Sequence, residues 1–240
     1  MISEIAFIRD HTSFWRTISP LSEDFVRHIN VQVLDRHETE LISKIGTSRR
    51  AIINEVGFEL FCRCRKTDST LDDLVSGEIE DIASKASAYI SHLRTKAPNF
   101  WSNLNGDEIE ESKEIGRRLL NFFKRFKTVV VKPEFTGCGQ LDACFGDVIA
   151  DDILYEIKSG GRPFRSIDLR QLVLYSTLGR LSKIYEIKSL GLYNPRRGFH
   201  FMTSQNEFSV QFSGLSAEEL CHRVQYELTS CDLMRFEEVV

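Results

Sequence analysis

Two short segments carry side chains that together could perform hydrolysis. In Tyr155-Glu-Ile-Lys-Ser159, Glu156 and Lys158 stand two apart in a stretch that reads as a β-strand, so both side chains leave the same face. Asp142, at the end of Gly139-Gln-Leu-Asp142 on the preceding strand-like segment, supplies a second carboxylate if the two strands pair. Two carboxylates on neighbouring strands suffice for Mg²⁺ or Mn²⁺, which fills its other positions with water and substrate phosphate. The main-chain carbonyl of Ile157 is a further ligand candidate. Such an ion makes a bound water nucleophilic and holds the charge that develops on a phosphodiester. A lysine beside a metal-bound carboxylate orients the water or neutralises that charge. Phosphodiester hydrolysis is the chemistry expected of Asp142, Glu156 and Lys158.

A Glu-x-Lys triplet alone says little, because the chain holds three: Glu111 to Lys113, Glu156 to Lys158 and Glu186 to Lys188. The pentapeptide YEIKS even occurs twice, at 155–159 and 185–189, which gives an internal control. Only the first copy follows an aspartate on a strand-like segment. The second follows a helical stretch carrying Arg170 and Arg180, so Glu186 and Lys188 are expected on an ordinary strand or its edge.

The elements that must position these residues are legible as periodicities. Residues 1–105 read as helices, with apolar positions recurring at three and four across 22–45, 47–66 and 69–93, and Ser22, Thr47 and Ser69 as N-caps. The segment Pro98 to Gly106 breaks that pattern and marks a boundary, giving a helical N-terminal region at 1–105 and a second domain at 106–240. A basic amphipathic helix is expected from about Asp107 to Lys127. Strands then follow, from Thr128 to Val131, through Phe135, and as two segments within 137–161 whose turn is not fixed. Ser166 caps a helix to about Leu181, and Ser182 to Tyr193 reads as a strand. Phe199 to Ser204 and Glu207 to Phe212 read as a hairpin around Gln205-Asn206, and Ser216 with Glu219 as the capping box of a last helix. The order helix, three strands, helix, strand describes an α/β core behind a helical extension.

Gly139-Gln-Leu-Asp142, Glu156-Ile-Lys158 and Gln171-Leu-Val-Leu-Tyr175, in this order and on these elements, resemble the PD-(D/E)xK nuclease superfamily, especially its RecB-like branch, over about residues 107–215. The resemblance implies a restriction-endonuclease-like mixed sheet flanked by helices. It also implies Asp142 and Glu156 as metal ligands, Lys158 as the catalytic lysine, and Gln171 and Tyr175 as site-lining residues. Positions i and i+4 do share one helix face, although a Gln and a Tyr among leucines also suit polar edge positions. Many members carry an upstream histidine or an acid on the first core helix. Glu110, Glu114 and Glu134 are the positions weighed for it, and each reads better as solvated or structural. The spacing of the six cysteines does not match the iron-sulfur subgroup, and the histidines show no zinc spacing.

Arg162 and Arg165 follow the catalytic strand, and Arg196 and Arg197 follow the next one, where arginines can meet phosphates. The net charge of -4 conceals a gradient: residues 113–200 hold 16 Lys and Arg against 9 Asp and Glu, whereas residues 1–112 hold 13 against 19. The basic middle suits a phosphate backbone, and the acidic front suits a protein contact. DNA is the expected substrate, with the helical region open to an ATPase, a helicase or another protein, as in effectors of restriction or antiphage defence. Cutting both strands would suit a homo-oligomer, though no heptad demonstrates one. No apolar run reaches membrane-span length, and the first 15 residues lack a signal-peptide pattern, so a cytoplasmic enzyme with reduced thiols is expected. The competing expectation is a catalytically silent, nuclease-like assembly subunit.

Overall fold

The computed structural model describes residues 1–93 and 104–230, and a six-stranded mixed sheet flanked by helices runs through it. In chain order the strands are β1 (Asp35–Arg36), β2 (Val129–Val131), β3 (Glu134–Phe135), β4 (Cys144–Phe145), β5 (Val148–Ala150), β6 (Ile153–Ile157), β7 (Ser189–Asn194) and β8 (Phe199–Ser204). The helices are α1 (Glu4–Asp10), α2 (Thr12–Ile18), α3 (Ser22–His28), α4 (Arg50–Thr67), α5 (Ser76–Leu93), α6 (Gly106–Phe123), α7 (Ser166–Ser182), α8 (Gln205–Ser213) and α9 (Ala217–Thr229).

The sheet order is β1-β8-β7-β6-β5-β2, while β3 and β4 pair as a separate ribbon. Every pairing in the large sheet is antiparallel except β6 with β7, which run parallel from Ile153↔Ser189 to Ile157↔Tyr193. A parallel pair requires a crossover, and α7 provides it. Side chains alternate across the strands, so neighbours in sequence enter different cores. Leu154 joins Leu169, Leu172, Leu192 and Phe208 on the α7 side. Tyr155, Val148 and Ala150 join Ile52, Phe61, Ile115 and Phe123 on the α4 and α6 side. Glu156 and Lys158, in step with Leu154, therefore rise on the face that α7 covers.

Residues ahead of the expected boundary belong to both cores. Phe7, Trp15 and Phe25 pack in the cluster that contains Leu172, and α4 lies so close to α6 that a Cβ on Gly57 would meet Ile115 at 2.8 Å. β1 pairs with β8 through Asp35↔His200. The boundary itself, Pro98 to Gly106, lies mostly outside the described residues.

The predicted helix at 107–127 corresponds to α6, whose cap is Asn105, bonded to the Glu108 amide at 3.0 Å. The predicted hairpin differs: β8 leads into α8 because Ser204 Oγ accepts the Glu207 amide at 3.2 Å, and Phe208 and Phe212, one turn apart, bury together. The strand expected from Ser182 starts only at Ser189, after Lys183 closes α7 at φ 55°. The first long helical run breaks after α3 into a π-turn at Ile29–Val33 and then β1. Thr47 and Ser69 are not helix caps: α4 starts at Arg50, and Thr70 caps a 3-10 turn, Leu71–Asp73, ahead of α5. Among the described residues no helix is long and apolar enough to cross a membrane.

Candidate active site

β5 and β6 are joined by a tight turn at Asp151-Asp152, and their register, Val148↔Tyr155 and Ala150↔Ile153, carries on to set Asp147 opposite Glu156. Asp147 Oδ2 accepts the Ile157 amide at 2.7 Å, which fixes the carboxyl at the end of the β-ladder. The Asp147 and Glu156 carboxyls stand across from each other at the end of the ladder, each close enough to feel the other. Burial raises the proton affinity of both, and for Glu156, which is 4% exposed, the neighbouring Asp147 charge raises it further.

Lys158 completes the cluster. Its Nζ donates to Glu156 Oε1 and to Gln171 Oε1, each at 2.6 Å, and lies 3.9 Å from Asp168 Oδ1. Burial alone would favour the neutral amine, but Glu156, Asp168 and Asp147 outweigh it and hold the ammonium charged. Gln171 reaches Lys158 because α7 starts just after the strand and lies over it. That start is fixed by Asp168, almost fully buried, which accepts the Arg165 amide at 2.9 Å and a two-pronged contact from Arg162 at 2.7 and 2.8 Å. Tyr175, one turn beyond Gln171, is buried and stacks on Phe135 with ring centres 5.6 Å apart. Burial, then the Glu156 and Asp147 charges, push its phenol up and keep it protonated.

The structure thus brings Glu156, Lys158 and Gln171 together, with Tyr175 deeper beneath them, and supplies Asp147 as the carboxylate partner. Asp142 stands elsewhere: its amide donates to the Ile2 carbonyl at 3.0 Å, next to a bridge between Ile2 and Leu141. The β3–β4 ribbon takes up Cys144 and Phe145 before the chain reaches β5, so the ladder begins past Asp142. The signal for Asp147 was in the sequence, since counting back symmetrically from Asp151-Asp152 pairs position 156 with 147.

A second acidic element approaches from α4. Glu55 and Glu59 stand one turn apart, and Glu59 is ion-paired with Lys132. The Lys132 amide donates to the Asp147 carbonyl at 2.9 Å. Burial, then the charge of Glu59, raises Glu55 to about 7, with Asp147 adding to the effect. The positions weighed earlier on α6 and β3 are occupied otherwise: Glu114 pairs with Arg117 and Arg118, Glu110 with Lys113 at 3.8 Å, and Glu134 is exposed.

Of the arginines expected at phosphates, Arg162 is held by Asp168 and Arg165 is exposed at the start of α7. Arg197 lies over the Phe199 ring at 4.6 Å. Arg196 is 2% exposed and satisfied inside the protein by Glu111 at 2.6 Å, Asn54 at 2.7 Å and the Ser159 carbonyl at 3.1 Å. Cys62, Cys64, Cys138, Cys144 and Cys221 are free thiols; burial pushes Cys144 up to about 12, and Cys231 lies outside the described residues.

Among the described residues no group of three or more His, Cys, Asp or Glu side chains is arranged to hold a metal ion. The donor set at Asp147 and Glu156 is two neighbouring carboxyl groups, both pushed toward their protonated forms by burial. That set suits a hard divalent cation with few protein ligands, because two positive charges would offset the repulsion between the two carboxylates. No family model matches the chain, and no curated protein matches it.

Proposed function

We propose that this protein is a metal-dependent DNA nuclease of the PD-(D/E)xK type, with Asp147, Glu156 and Lys158 as its catalytic residues. One observation carries the reading: the buried Glu156 carboxyl, the half-buried Asp147 carboxyl, a charged lysine and a glutamine are gathered at one end of β6, held by bonds of 2.6 to 2.7 Å. Burying like charges together costs stability, and such clusters belong to sites with chemistry to perform. The order α6, β2, β5, β6, α7, β7, with one parallel pair made by the α7 crossover, supports a restriction-endonuclease-like core.

Asp147 and Glu156 would hold Mg²⁺ or Mn²⁺, which when bound supplies Lewis acidity toward a phosphate oxygen and lowers the pKa of water. With such an ion bound, the ionised form of Glu156 would be favoured and both its oxygens would be acceptors. Lys158 keeps its ammonium charge beside Glu156, where it can donate to a non-bridging phosphate oxygen or to the attacking water. Gln171 accepts from the same Nζ and restricts its direction. Tyr175, protonated and packed on Phe135, closes the floor. A cytoplasmic setting, an ATPase or helicase partner and a role in defence against foreign DNA fit this chemistry and remain part of the proposal.

The test is cleavage of supercoiled plasmid and of end-labelled single strands with Mg²⁺, Mn²⁺ or EDTA, comparing wild type with Glu156→Gln and Lys158→Ala. Metal-dependent cutting lost in both variants is the expected result. Cutting retained in both would overturn the reading.

A further inference from the structure

Beyond Lys158 the chain passes through Ser159, Gly160 and Gly161, and Gly161 forms part of the wall of a cavity of about 350 Å³ that Arg50 and Arg196 also line. The loop is pinned from behind: Asn194 Nδ2 donates to the Gly160 carbonyl at 2.8 Å, and Arg196 Nε to the Ser159 carbonyl at 3.1 Å. The two cations of the cavity differ in what they have left to offer. Arg196 is committed to Glu111, which also accepts from Ser43 at 2.8 Å. Arg50 Nε is buried with no hydrogen-bond partner, and its Nη1 lies where a Cβ on Gly161 would come within 3.6 Å. Two other arginines have a buried, unpartnered Nε, but Arg170 covers the Trp15 ring, and neither it nor Arg65 lines this cavity. Glu40, exposed, is the opposing charge at the rim.

We propose that this cavity is a subsite for a phosphate of the DNA strand, with the Arg50 guanidinium as its ligand and Gly161 leaving the room a side chain would fill. The inference rests on the nuclease reading for the identity of the strand. Gly161 is three positions beyond Lys158, so their Cα atoms lie within about 11 Å of each other. That proximity puts the bound phosphate on the same strand as the one that reacts, a few nucleotides away. An arginine fork suits a phosphodiester, whose two free oxygens match its geometry.

Binding of a fluorescent 12-nucleotide DNA strand, followed by polarisation in EDTA over a series of salt concentrations, tests this. The proteins compared are wild type, Arg50→Gln, Arg50→Lys, Glu40→Gln and Glu156→Gln. Arg50→Gln weakens binding about tenfold and lowers the slope of log affinity against log salt by about 0.7, as expected for one lost phosphate contact on a single strand. Arg50→Lys keeps the slope, and Glu40→Gln tightens binding. An Arg50→Gln protein that is folded by thermal melting and binds with wild-type affinity and slope overturns the proposal, as does a wild type that does not bind the strand. Glu156→Gln separates the two readings. Cutting that depends on Glu156 together with binding indifferent to Arg50 leaves the nuclease and removes the subsite. Binding that depends on Arg50 with no cutting by any protein leaves a strand-binding site and removes the nuclease.

Discussion

Asp147 Oδ2 lies 2.7 Å from the Ile157 amide that it accepts, and through that bond a residue outside the strand is locked to the residue between Glu156 and Lys158. The main chain itself thereby aims the second carboxyl at the first. A substitution at position 147 removes both a charge and a ladder-end acceptor.

Asp147→Asn is expected to lower the rate of Mg²⁺-dependent cleavage at least 100-fold, the loss usual when one essential ligand or orienting partner of a metal site goes. Asp142→Asn should stay within about threefold of wild type, since its amide, which the substitution leaves in place, is what meets Ile2. Steady-state cleavage of a labelled strand by the two variants decides it, and the reverse ranking would return the second carboxylate to Asp142.

Gln171 meets the candidate site through Lys158, whose Nζ donates to its Oε1 at 2.6 Å. Gln171→Leu leaves Nζ with Glu156 as its close acceptor, and a loss of about 10- to 100-fold in kcat follows, with KM and melting temperature nearly unchanged. A KM effect with kcat intact would make Gln171 a substrate contact instead.

The pH dependence of stability has a definite sign. Glu55 binds its proton more tightly folded, with a pKa of about 7, than unfolded, near 4.5. Between those values the native state holds more protons at Glu55, so the contribution of Glu55 to stability is fully present below pH 4.5 and is lost as pH rises through 7. The raised Asp147 and Glu156 act in the same direction. Urea unfolding at pH 5 and pH 8 should show Glu55→Gln gaining on wild type at the higher pH by roughly 1 to 3 kcal/mol. An equal difference at both pH values would mean that Glu55 is not strained by its neighbours.

Mg²⁺ at millimolar concentration should raise the melting temperature of wild type at pH 8, because an ion that binds only the native state stabilises it by mass action. Glu156→Gln should show no such rise. A rise of equal size in both proteins would locate the ion away from the Asp147–Glu156 pair.

Arg196→Ala is expected to destabilise by about 3 to 5 kcal/mol, the cost of leaving the buried Glu111 charge unpaired. Arg197→Ala should cost under about 1 kcal/mol, since Arg197 is half-buried with its guanidinium over the Phe199 ring and forms no ion pair among the described residues. Comparable unfolding midpoints for the two would contradict the interior role of Arg196.

Much of the candidate site was legible because it is local. Glu156 and Lys158 share a strand face by alternation, and Gln171 and Tyr175 share a helix face by the 3.6 period, so spacing alone grouped each pair. Asp147 was missed because its choice depends on strand register. The β3–β4 ribbon, too short to announce itself by pattern, shifted the start of the ladder by five residues from Asp142. Glu55 was missed because its burial, the first cause of its raised proton affinity, is not visible in the sequence, although its charged neighbour Glu59 is only one turn away. Gln205-Asn206 looked like a hairpin turn, but the Ser204 cap and the buried Phe208 and Phe212 decided for α8. Arg196 read as a surface cation, and only the meeting of α4, α6 and the Ser159 carbonyl shows it to be interior.

The pairing of β1 with β8 has a consequence for the order of assembly during synthesis. Residues 35 and 36 leave the ribosome long before their partners at 199 and 200, and β6 lacks its parallel neighbour until β7 has been made. The sheet edge that β1 forms therefore closes only when nearly the whole polypeptide has emerged, and a product truncated before residue 199 leaves residues 35 and 36 without their partner strand.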